Sequence, residues 1–128
     1  MKFSRRGALV LAPVFLGVGA LLAPATPAQA AGCSYRGDAS TEYEYAGNYS
    51  GLTVVPSKTS VTSAGVEAQC LLLRLGYNPG PVDGVFGSKS QAAMKQFQQW
   101  SHVYGSGLSV DGMPGPKSWP WLRWLAYS

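Results

Sequence analysis

Two carboxylates in a duplicated frame are the residues whose types and spacing first suggest chemistry. Asp83 lies in VDGVFGSKS (Val82 to Ser90) and Asp111 in VDGMPGPKS (Val110 to Ser118). Six of the nine positions are identical, at an offset of 28 residues. A carboxylate pair can act as general acid and base in glycoside hydrolysis, provided two unlike environments drive the two pKa values apart. Two copies of one turn offer two similar environments, so an acid/base pair is not expected. The glycines suggest a phosphate loop, but that device needs Gly directly before Lys-Ser/Thr. Ser88 and Pro116 stand there instead. His102 is the lone histidine, and a zinc site needs three or four ligands. No nucleophile–base spacing stands out. No catalytic residue, metal or cofactor is therefore expected.

The repeat reads better as a building device, because each copy precedes a helical pattern. In Asp83-Gly84 and Asp111-Gly112 the Asp side chain can accept backbone N–H groups, and Gly supplies a positive φ. Val82 and Val110 before the bends, and Val85 and Met113 after them, would tuck each loop against a core. Gly87 and Gly115 are expected to let the chain swing into the helix. Ser88 is a candidate cap, and Pro116 suits a first helical position.

The helices that hold these turns follow from apolar periodicity. The first begins near Val66, with Ser63 as cap. It places Val66, Cys70 and Leu73 on one stripe, widened by Leu71, Leu72 and Leu75, and closes at Gly76. The second puts Ala93, Phe97, Trp100 and Tyr104 on an apolar face and Gln91, Lys95, Gln98 and His102 on the opposite one. The third groups Trp119, Leu122 and Leu125, with Trp121 and Trp124 on another side. Pro120 fits if this helix starts near Ser118, and predicts a kink if it starts at Pro116. The expectation is an all-α fold, a small three-helix bundle spanning 64–128.

Residues 1–30 read as a secretory signal peptide: a basic start (Lys2, Arg5, Arg6), an apolar run, and Ala28-Gln29-Ala30 as cleavage site. The apolar run is too short and interrupted to span a membrane, so no stable membrane anchor is expected. The remaining chain carries seven basic and six acidic residues. That balance is no footprint for nucleic acid. Two cysteines, Cys33 and Cys70, in an exported chain imply a disulfide; a lipidated Cys33 would leave Cys70 unpartnered. Residues 31–63 read as an irregular, Ser/Thr/Gly/Tyr-rich arm tied down at Cys33, with Tyr43, Tyr45 and Tyr49 packing onto the domain. Only GLTVV (Gly51 to Val55) looks strand-like, up to Pro56.

The motifs resemble the peptidoglycan-binding-like domain family. Gln69 to Leu72, Leu75-Gly76-Tyr77, Pro79-Gly80, Val82 to Gly87, Ala93, Phe97-Gln98, Val110 to Lys117 and Trp119 agree with its pattern in order and spacing. The resemblance covers about residues 64–124 and implies a three-helix cell-wall-binding module with an internal repeat. Members usually hold a hydrolase domain on the wall; here a stand-alone secreted member is expected, extracellular and cell-wall associated. It implies a non-catalytic role, with peptidoglycan, glycan strand or stem peptide, as partner and a monomer as the working form. Trp121 and Trp124 are the candidate ligand contacts, because an indole face suits a sugar and its N–H a hydroxyl. Tyr77 and Asn78 are lesser candidates. Two alternatives stand beside this reading: a small protein-interaction domain, acting as inhibitor or targeting partner of a separate cell-wall hydrolase, and a minimal lytic enzyme.

Overall fold

The computed structural model describes residues 32–128; the stretch read as a signal peptide lies outside them. Three helices follow a short hairpin: β1 (Arg36–Asp38), β2 (Tyr43–Tyr45), α1 (Ser63–Leu75), α2 (Ser88–Ser101) and α3 (Ser118–Tyr127). None of the described helices is long and apolar enough to cross a membrane.

Helix α1 is capped one residue earlier than expected. Thr62, not Ser63, is the N-cap, and its hydroxyl accepts the Gly65 N–H at 2.9 Å. Gly76 ends the helix at φ 96°, a left-handed backbone that suits glycine. Helix α2 has Gly87 as N-cap with no side-chain cap bond. Ser88 is its first helical residue, so the expected Ser88 cap is corrected. The helix stops at Ser101 and tightens into a 3-10 turn over His102–Tyr104. Helix α3 starts at Ser118, which puts Pro120 in the first turn, where its missing N–H would have found no partner anyway.

The core gathers Leu71 and Leu72 of α1, Phe86 of the first turn, Met94 and Phe97 of α2, and Trp119 and Leu122 of α3, all fully buried. Each such side chain contributes roughly 1.5–3 kcal/mol by leaving water.

The arm contains more order than its composition suggests. β1 and β2 pair antiparallel, with Gly37 opposite Glu44. Asp38 Oδ1 accepts both the N–H and the hydroxyl of Ser40 at the bend; these bonds, the hydroxyl's first, hold its carboxyl below the usual range. The expected strand at Gly51 to Val55 does not form, because its backbone is spent on side chains. The Tyr49 phenol oxygen accepts from Thr53 N and Val54 N, and the Trp119 indole donates to Val54 O at 2.8 Å. Burial alone would raise the Tyr49 phenol pKa. The hydrogen bonds from Val54 and Thr53 and the charge of Arg123 outweigh it and lower the pKa.

A disulfide and a buried ion pair are the main ties between arm and bundle. Cys33 and Cys70 form a disulfide, with Cα atoms 5.6 Å apart, and the Tyr35 hydroxyl donates to Cys70 O nearby. The second tie is Arg123 of α3, fully buried. Its guanidinium meets Glu67 of α1 at 2.7 Å and donates to Glu44 O, Tyr49 O and Gly51 O. The Tyr45, Tyr49 and Trp119 rings surround it. Glu67 Oε2 also accepts the Ala46 N–H at 2.8 Å.

Candidate functional site

Each Asp-Gly bend is clamped from the helix before it by one buried glutamine. Gln69 of α1 donates through Nε2 to Asp83 Oδ1, Val85 O and Ser90 Oγ, while its Oε1 accepts the Gly84 N–H at 2.8 Å. Gln98 of α2 repeats the pattern, donating to Asp111 Oδ1, Met113 O and Ser118 Oγ and accepting the Gly112 N–H at 2.8 Å. Each aspartate also closes its own turn: Asp83 Oδ1 accepts Val85 N, and Asp111 Oδ1 accepts Met113 N, both at 3.0 Å. Gly84 (φ 84°) and Gly112 (φ 82°) sit in the left-handed region, the conformation that selects glycine. Gly87 and Gly115 are not among the positive-φ glycines, and a Cβ on Gly87 would meet nothing within 4 Å. No steric demand for glycine appears at these two positions.

Gln98 is 1% exposed, which corrects its assignment to the polar face of the second helix. The available signal was positional: both glutamines stand on a helix 13 or 14 residues before the aspartate they hold. Replacing either by leucine removes the amide and strands the turn's N–H and carboxylate. Gln69→Leu and Gln98→Leu are each expected to lower stability by about 2–4 kcal/mol, since every buried polar group left unpaired costs about 1–3 kcal/mol. Chemical denaturation with an unchanged m-value checks it; a loss below about 1 kcal/mol would mean the clamp does not hold the turns.

The expected ligand contacts fall on two aromatic surfaces. Trp121 and Trp124 of α3 meet edge to face, with centroids 5.7 Å apart. Trp121 is half-buried and Trp124 36% exposed. The arm reaches this pair without covering it: the Trp124 indole donates to Glu42 Oε1 at 3.4 Å. Tyr77, half-buried, belongs to a second group, at 6.2 Å from Trp100, which in turn lies 5.2 Å from Tyr104. Burial, and then the neighbouring Tyr104 phenol, raise the Tyr77 pKa. Asn78 is exposed and uses Oδ1 to accept the Gly80 N–H.

Tyr104 does not share the core face it was assigned by periodicity. It is 49% exposed, because α2 ends at Ser101 and the tighter turn swings it outward. Trp100, half-buried, bridges core and surface. The exposed Val103 follows on the same turn. Among the described residues no group of three or more His, Cys, Asp or Glu could hold a metal ion.

Comparison with known proteins agrees with this architecture. Residues 66–122 match the family described as "Putative peptidoglycan binding domain". Among solved structures, the chain resembles a peptidoglycan-binding protein from Clostridioides difficile, crystallised in complex with glutamine hydroxamate. The identity is 31% and the TM-score 0.56, over 73% of this chain. The chain spans 58% of that protein's length. No curated protein matches. The matched stretch contains both clamped turns, and over residues 66–122 the chain is similar to the family described as a putative peptidoglycan binding domain.

Proposed function

We propose that this protein is a secreted, non-catalytic module, monomeric, that binds cell-wall peptidoglycan through its surface. The observation that carries the reading is the family match over both turns, joined to an aromatic surface at Trp121 and Trp124. Its signal peptide (1–30) directs export, the arm (31–63) braces the bundle, and 64–128 is the binding domain. Support for a non-catalytic role comes from the work Asp83 and Asp111 already do. Each accepts from its own turn and from its own glutamine clamp, as a fastener would. Exposed indole faces suit the C–H faces of sugars, so Trp121 and Trp124, with Tyr77 and Asn78, are the contacts we assign.

Co-sedimentation of the mature protein with insoluble peptidoglycan tests this function. Retention well above that of an unrelated basic domain supports it, and equal retention ends it. Within that assay, Trp124→Ala is expected to weaken retention about 2- to 13-fold, the range for one aromatic contact of about 0.5–1.5 kcal/mol. The fold should survive with a modest loss of stability, because the side chain is already partly in water. Unchanged retention would remove Trp124 from the contact set.

A further inference from the structure

The glutamine clamps of the two halves make the same set of hydrogen bonds, which makes one difference informative. Ahead of each bend the loops keep register: Gly80 N donates to Asn78 Oδ1 at 3.0 Å, and Leu108 N to Ser106 Oγ at 3.2 Å. Pro79 in the first loop thus corresponds to Gly107 in the second. Pro79 is fully buried, and its carbonyl accepts the Ser90 hydroxyl at 2.7 Å. Gly107 is exposed. Ser118, the counterpart of Ser90, is 5% exposed. Its oxygen accepts from Gln98 at 3.3 Å, and no acceptor for its own proton stands among the described residues. The neighbouring Leu108 carbonyl is engaged by His102 Nε2 at 2.7 Å.

Beside Ser118 lies a cavity of about 290 Å³, walled by Leu108, Met113, Pro116, Lys117 and Asp111. Its size is at the small end of ligand pockets, roughly 300–1,000 Å³. A buried hydroxyl with a proton to give and a lysine on the same wall are donors for an anion. Leu108, Met113 and Pro116 provide apolar contact for a small side chain. Asp111, in the same wall, is an acceptor for a peptide N–H.

We propose that the cavity beside the second turn binds the end of a peptide with a small terminal side chain and a free carboxylate, held by Ser118 and Lys117. In the first half of the chain Pro79 supplies the acceptor that the ligand's carboxylate supplies here. The proposal rests on the peptidoglycan reading for its source, a stem peptide ending in alanine.

The test titrates the isotope-labelled, disulfide-bonded chain with N-acetyl-D-alanyl-D-alanine and with its C-terminal amide, following backbone amide shifts. The acid should move Leu108, Met113 and Ser118 in a saturable way. The amide should bind about 10-fold more weakly or worse, because charge-assisted hydrogen bonds are roughly twice as strong as neutral ones. Lys117→Ala, on an exposed residue, should lower affinity about 3- to 10-fold without touching the fold, as expected for one partly solvated charge contact. Ser118→Ala, checked for folding by its melting curve, should lower it about 10-fold, the range for a hydrogen bond to a charged group. No shift around the cavity, or equal binding of acid and amide, overturns the site. Sedimentation with peptidoglycan in parallel separates the two ideas. Retention without cavity shifts defeats this inference and leaves the function standing, cavity shifts without retention support the site and defeat the wall reading, and failure of both defeats both.

Discussion

Arg123→Met is expected to cost about 3–5 kcal/mol, the usual penalty for breaking a buried ion pair from one side. The guanidinium and the Glu67 carboxylate are both fully buried and 2.7 Å apart. Removing the cation leaves a carboxylate in a dry site where one of its oxygens, Oε1, already has no hydrogen-bond partner. It also strips donors from Glu44 O, Tyr49 O and Gly51 O, so the arm loses its main polar attachment to α3. A domain near 100 residues has about 5–15 kcal/mol in total, and each kcal/mol moves its Tm by roughly 4–8 °C. The variant should therefore melt at least 12 °C lower, on the order of the product of those figures. The double variant Glu67→Leu/Arg123→Met should recover part of the loss, since an apolar pair needs no partner. Recovery is incomplete because the three carbonyls stay unsatisfied. A single-variant loss under about 1 kcal/mol would show that the pair is solvated and does not brace the arm.

Removing the disulfide should be nearly as damaging. Cys33 and Cys70 are 37 residues apart, and closing a loop of that length stabilises by about 4 kcal/mol in the chain-entropy model. Cys33→Ser/Cys70→Ala, or reduction of the native protein, is expected to lower stability by about 2–5 kcal/mol. The hairpin should become exchange-labile before the bundle core, because its covalent tie is gone. Hydrogen exchange that rises equally in α2 and in β1–β2 would contradict this picture of an arm fastened to a separately built bundle.

The sequence made the bundle readable for simple reasons. Three apolar stripes of helical period, an even cysteine count and Pro120 near a helix start each carry a local physical signature. The polar interior did not. Arg123 and Glu67 resemble solvated charges on amphipathic helices; what buries them is the arm, whose contact with α3 spans more than 70 residues of sequence. Helical spacing alone puts Gln98 on the solvent face, because a glutamine off the Phe97 and Trp100 stripe ordinarily points to water; its partner is a turn that follows later in the chain. The hairpin lacks a strand signature because Tyr-Glu-Tyr places its charged residue inward: Glu44 is 3% exposed and pairs with Arg74 at 3.5 Å. The aromatic surface was half legible. Trp121 and Trp124 stand off the core stripe of α3, as spacing implied. Tyr104 departs from the helical period because the backbone tightens after Ser101.

As fasteners of their turns, the two aspartates need only an acceptor oxygen at Oδ1. The most direct measurement adds wild-type protein, Asp83→Asn and Asp111→Asn to one suspension of purified peptidoglycan and follows both bound protein and soluble fragments over time. Asparagine keeps the Oδ1 acceptor that each turn uses, so all three proteins should bind alike and release nothing. Soluble muropeptides from the wild type that disappear with either substitution would make the pair catalytic and contradict the account.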